Sequence, residues 1–111
     1  MDPRKARLGK NEALFREVNE RIERISETLQ MTTETIDILC ECASETCVER
    51  IVVPLPDYER IRRDPELFFV HRGHEEPDIE DVVEQTENYD VVRKRPGGPA
   101  ELARELDPRD N

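Results

Sequence analysis

Apolar residues recur at Phe15, Val18, Ile22, Ile25 and Leu29. Their alternating steps of three and four place them on one stripe of an α-helix. The predicted helix covers 11–29, with Asn11 as its N-cap and Glu12 adding negative charge to the first turn. Glu17 with Arg21, and Glu20 with Arg24, form i,i+4 pairs on the side read as solvated. The polar, basic residues 1–10 read as a flexible arm. Met31–Thr35, with three threonines, ends the helical signal.

From Ile36 the period changes. Ile36, Ile38 and Cys40 alternate with polar or mixed residues, and Arg50–Val53 is a second β-type run. Two short strands joined by a cysteine-bearing turn predict a hairpin of the zinc-knuckle kind. Pro54 and Pro56 stop the strand, and Pro56 suits the start of a short helix through Arg63. Tyr58 and Ile61 fall on the inner face of that helix; Arg60, Arg62 and Arg63 read as its solvated face. Asp64-Pro65 closes it. Leu67–Val70 reads as a buried strand, residues 79–83 as a helical turn or a strand, and Tyr89–Lys94 as a strand. Pro96–Pro99 breaks the pattern, Glu101–Leu106 allows one or two helical turns, and Asp107–Asn111 is a polar tail. The expectation is one small α+β domain over 11–95, with an N-terminal amphipathic helix and a few short antiparallel strands. It is flanked by the arm 1–10 and the segment 96–111.

Composition narrows what such a domain can be. Of 111 residues, 35% are hydrophobic and 40% charged, with no Trp. A core this small is one that a metal or a partner often completes. Seventeen basic against 27 acidic residues give a formal net charge of −10, which works against binding a phosphate backbone. The longest apolar run, Leu67–Val70, is far too short to span a membrane. No apolar stretch follows the basic N-terminus, so it does not read as a secretory signal. Three cysteines cannot all pair within the chain, and this usage points to a reducing cytoplasm.

The candidate chemistry lies in two tight clusters. All three cysteines, Cys40, Cys42 and Cys47, fall within eight residues, and the only histidines are His71 and His74. Thiolate sulfur and imidazole nitrogen are zinc ligands, and a structural site is closed by four of them. The expected set is Cys40, Cys42, Cys47 and His74, because Gly73 frees the backbone to swing that ring inward. The competing bland reading makes the cysteines small buried hydrophobes and the histidines surface residues; clustering of all five weighs against it. A catalytic zinc would use Glu75 or Glu76 as general base. Three thiolates, however, weaken the Lewis acidity of the metal, and the P-C-x-x-C element of zinc deaminases is missing. H-E-x-x-H and a Gly-rich phosphate loop are missing as well.

The run from Asn11 to Arg109 resembles a family of small, uncharacterised proteins common in actinobacteria. The matching pieces are NEALFREVNERI (11–22), LCEC with Cys47 and the following ERI (39–51), YERIR (58–62), GHE (73–75), VVE (82–84), YDVV (89–92) with Lys94, and DPR (107–109). The resemblance implies that Cys40, Cys42, Cys47 and His74 are ligand positions and that His71 is not. It implies no activity.

The expected role is a non-catalytic, zinc-binding adaptor or regulatory module in the cytoplasm. It would engage another protein, or a second copy of the chain, through helix 11–29 or the zinc-knuckle surface. A thiol-based redox or metal sensor is the alternative, and a zinc-dependent enzyme stands behind both.

Overall fold

Eight elements follow one another in the computed structural model, which describes residues 1–28 and 34–109. They are α1 (Pro3–Thr28), β1 (Thr35–Leu39), β2 (Arg50–Pro54), α2 (Leu55–Arg62), β3 (Leu67–Val70), β4 (Glu80–Gln85), β5 (Asp90–Lys94) and α3 (Gly98–Glu105). β1 and β2 form an antiparallel hairpin, while β3, β5 and β4 form a second antiparallel sheet in that spatial order. The fold is α+β, as the sequence predicts.

β3 sits where the two sheets meet. All four of its residues are buried, and they alternate between two apolar clusters. Leu67 and Phe69 face Ile36, Ile38, Ile51, Val53, Tyr58 and Ile61. Phe68 and Val70 face Cys40, Cys42, Val92 and Ala103. Phe69 stacks on Tyr58 with ring centroids 5.6 Å apart and meets the Tyr89 ring edge-on at 5.5 Å. A strand covered on both faces explains a continuous apolar run in place of alternation.

The N-terminal arm is helical. Asp2 caps α1 by accepting the Arg4 N–H at 2.8 Å, and Pro3 occupies the first helical position. Near Gly9, α1 lies so close to α3 that a Cβ there would sit 3.0 Å from Leu102. The helix therefore starts eight residues before Asn11, whose side chain instead donates to Ala43 O at 3.1 Å. The segment after 95 is likewise part of the fold: Ala100 and Ala103 of α3 are buried, and Arg109 bridges Glu20 and Glu59.

The larger difference concerns which face α1 buries. Glu12, Ala13, Arg16, Asn19, Glu20 and Glu23 are buried, whereas Ile25 is 59% and Leu14 57% exposed. Of the apolar stripe, Phe15, Val18 and Ile22 are half-buried, and Leu29 lies outside the described residues. Such burial is tolerable only where the polar groups are paired, and here each charged group has at least one partner, although Glu12 Oε2 and Arg16 Nε make no hydrogen bond. Glu12 and Glu80 share the ammonium of Lys94. Arg16 donates to Pro65 O at 2.7 Å and Ala103 O at 2.8 Å, with its guanidinium 4.5 Å from the Phe68 ring centroid. Glu20, expected in solvent, accepts from Arg109 at 2.6 Å. Arg62, also expected in solvent, is buried against Glu41 and lies over the rings of Tyr58 and Phe69.

Candidate metal centre

The loop between β1 and β2 is fastened from two sides. On the backbone, Cys40 N–H donates to Glu49 O at 2.9 Å, and Glu41 N–H donates to Phe69 O at 2.8 Å. On the side chains, Glu41 is the hub. Its carboxylate is fully buried and accepts from Arg62 Nη2, from Asn19 Nδ2 at 2.7 Å and from the Phe69 N–H at 2.9 Å. Asn19 also grips the Leu39 peptide, accepting its N–H at 2.9 Å and donating to its carbonyl at 2.8 Å. Between two committed neighbours, Cys40 and Cys42 have little freedom left.

The turn after β3 supplies the fourth group. His74 N–H donates to His71 O at 2.9 Å across a turn whose third residue, Gly73, has φ 81°. That left-handed backbone favours glycine, which has no Cβ to strain. Gly73 N–H donates to Asp90 at 3.1 Å, which ties the turn to β5. The turn brings His74 Nδ1 to 3.6 Å from Cys40 Sγ and 3.7 Å from Cys47 Sγ.

One donor atom from each of Cys40, Cys42, Cys47 and His74 lies within 4.8 Å of the others, and the four can hold a metal ion. Cys40 and Cys42 are buried; Cys47 and His74 are half-exposed. The thiols hold their protons unequally. Cys42 is lowered to about 5, first by the hydrogen bond from Cys40. Cys40 is raised by donating that bond and by burial, and Cys47 is raised chiefly by burial. A cation replacing the remaining thiol protons would leave three anionic sulfurs around one charge, and binding would release protons.

His71 is outside this set but adjoins it. Its N–H donates to Cys40 Sγ at 3.1 Å, and its ring centroid lies 4.9 Å from that of His74. An amide bonded to a ligand sulfur orients and tunes that sulfur. Glu76, two residues after His74, is turned elsewhere: its N–H donates to Glu80 at 2.9 Å, and its carboxylate lies 3.9 Å from Arg4. A cleft of about 330 Å³ lined by Arg50, Val52, His71, Arg72 and Asn88 runs past the turn, and none of the four donors lines it.

No family model, curated protein or solved structure matches the chain. Among the described residues, no helix is long and apolar enough to cross a membrane.

The groups that the sequence reading missed are Glu41, Asn19 and Arg62, which fix the cysteine loop without belonging to the cluster. One signal was available: a carboxylate between two candidate ligand cysteines must either face solvent or find a buried cation.

Proposed function

We propose that this chain is a zinc-stapled, non-catalytic module that works by binding another protein. The observation that carries the reading is the closed set of three thiols and one imidazole. A tetrahedral zinc with bonds of about 2.3 Å to sulfur and 2.0–2.1 Å to nitrogen separates those donors by about 3.6 Å. The spacings of 3.6 and 3.7 Å support zinc on this ground. Four protein donors leave no position for a water or substrate, so the metal organises the fold and the surface carries the function. Thiol ligands require a reducing compartment, in keeping with the cytoplasm.

X-ray absorption on protein purified without chelator tests the metal assignment. The expected result is one zinc per chain with three sulfur and one nitrogen neighbours. A coordinated water, or folded and reduced protein without metal, overturns it. Pull-down from native lysate with and without chelator tests the binding role, which fails if no partner depends on zinc. A thiol-based sensor is the second reading, favoured by the partial exposure of Cys47 and His74. It requires mild peroxide to release zinc and a reductant with added zinc to restore it.

A further inference from the structure

From the open edge of β2 we infer a docking groove for an extended segment of another protein, added to the hairpin as a third strand with a carboxylate facing Arg72. The inference rests on the protein-binding role proposed above and names the surface and the chemistry of the partner.

The parity of the ladder identifies the groups on offer. Hydrogen-bonded and non-bonded pairs alternate along an antiparallel ladder. Cys40 N–H donates to Glu49 O at one end of the β1–β2 pairing, and Leu55 N–H donates to Glu34 O at the other, both at 2.9 Å. Counted inward from either end, Ile51 and Val53 bond to β1, whereas Arg50 and Val52 stand opposite Leu39 and Asp37 in non-bonded pairs. Arg50 and Val52 therefore turn their N–H and C=O groups away from β1. Leu39 does the same on β1, and there Asn19 takes both groups. Among the described residues, no bond reaches the outward groups of Arg50 or Val52.

The neighbouring edges are less open. Glu41 takes the outward N–H and C=O of Phe69 on β3. β4 carries a bulge between Val82 and Glu84, a device that discourages edge pairing. β2 keeps a regular register and has two exposed apolar side chains beside its outward groups, Val48 at 82% and Val52 at 48%. A regular, exposed edge is a template for strand addition.

The groove selects the occupant. Arg50, Ile51 and Val52 form one wall of the cleft of about 330 Å³, and His71, Arg72 and Asn88, on the turns after β3 and β4, form the other. The second wall admits one unfolded segment and obstructs the equally walled edge of a second copy. Arg72 is exposed and has no ion-pair partner among the described residues. Arg50 reaches Asp37 only at 3.9 Å, so the charge preference rests on Arg72. A carboxylate on the incoming strand answers that guanidinium, and β-branched apolar side chains answer Ile51 and Val52. Both walls are fastened to the cysteine loop, since β2 leaves it directly and His71 N–H donates to Cys40 Sγ at 3.1 Å.

The test uses the full-length, zinc-loaded, isotope-labelled chain and two eight-residue peptides that alternate valine with glutamate or with lysine. Amide-resolved titration and hydrogen exchange are expected to show the Arg50 and Val52 amides gaining protection. The glutamate peptide should bind at least fivefold more tightly, with the preference shrinking as salt rises and reversing in Arg72→Glu. Val52→Pro removes one outward N–H and spares the β1 ladder, because proline is tolerated where a strand's N–H faces solvent. It should cost at least tenfold in affinity with circular dichroism and zinc content unchanged. The same bonds can be probed without altering the protein: N-methylation of the valines or of the glutamates should abolish binding in one case and spare it in the other. No binding at millimolar peptide, protection elsewhere than the β2 edge, or equal loss from both N-methylated peptides overturns the inference. A dimer in sedimentation that Val52→Pro dissociates assigns the edge to a second copy and overturns it. Acetate shifting the same amides, with no protection from either peptide, assigns the cleft to small anions and overturns it too. Zinc intact without peptide binding rejects the groove alone, whereas peptide binding unchanged by chelation rejects the zinc-stapled reading.

Discussion

Replacing Glu41 by alanine should do more damage than replacing any single apolar residue of α1. The carboxylate has no solvent exposure and satisfies three donors. Its loss leaves the Arg62 guanidinium buried, with Glu20 at 4.0 Å the nearest remaining ion-pair partner. Breaking a buried pair in this way costs about 3–5 kcal/mol. The orphaned Phe69 N–H adds about 1–3 kcal/mol, partly overlapping with the first figure, whereas Asn19 keeps its two bonds to Leu39. A loss of about 4 kcal/mol is a large share of the roughly 5–15 kcal/mol that stabilises a domain. It corresponds to a fall of about 15 °C in Tm for a chain of this size. The measurement is urea unfolding of zinc-loaded protein beside Glu41→Gln, which keeps an acceptor for Phe69 and removes only the charge. Glu41→Gln is expected to lose about half as much. Zinc affinity should fall on the order of tenfold in Glu41→Ala, as for outer-shell groups that hold ligands in place. Stability within about 1 kcal/mol of the parent would refute the claim that Glu41 anchors the loop.

Three further outcomes follow from the same geometry. Chelation should lower Tm sharply and expose residues 40–49 to hydrogen exchange, since structural zinc contributes about 10–16 kcal/mol of apparent binding energy in small domains; unchanged exchange there would show that the metal does not organise the loop. Gly73→Ala should cost about 1–2 kcal/mol through backbone strain alone, because no atom lies within 4 Å of the added Cβ, and a zinc titration should show weaker binding as His74 shifts. Glu12 is raised well above its ordinary value of 4.5 by burial, with Lys94 opposing and Glu80 adding to the rise. The fold therefore holds a proton that the unfolded chain releases first, so the contribution of Glu12 is complete below pH 4.5 and is lost as pH rises through its folded value. Glu12→Gln should remove that pH slope from urea-derived stabilities, and identical slopes in the two proteins would contradict it.

Period-two alternation was enough to read β1, and short apolar runs were enough to read β2 and the buried β3, because each has one or two covered faces and no competing use for its residues. The four donors were legible for a related reason: so few Cys and His are present that clustering alone isolates them, and Gly73 marks the ring that turns inward. Helix α1 was read in type but not in orientation. A 3-4 stripe shows where apolar residues lie and assumes that this face is the buried one. The assumption fails when the opposite face carries groups with fixed partners. Those partners, Lys94 for Glu12, the Leu39 peptide for Asn19 and Arg109 for Glu20, lie between 20 and 89 residues away. Nothing local in the sequence announces them.

The inverted orientation of α1 follows from what the cysteine loop requires. A loop built around thiols and a buried carboxylate has little apolar surface with which to adhere to a helix. It does offer peptide groups at Leu39 and Ala43 and the Glu41 oxygens. Only a polar helix face can meet these, and Asn11 and Asn19, spaced two turns apart, do so. Once that face is committed to the loop and to the Lys94 and Arg109 pairs, the apolar stripe must point partly outward. The fixed cysteine loop and the partly exposed apolar stripe are thus two consequences of one choice of helix face. A variant that repacked α1 with its stripe inward would have to give up the anchoring of Glu41 and Asn19 and, with it, the fixed spacing of Cys40 and Cys42.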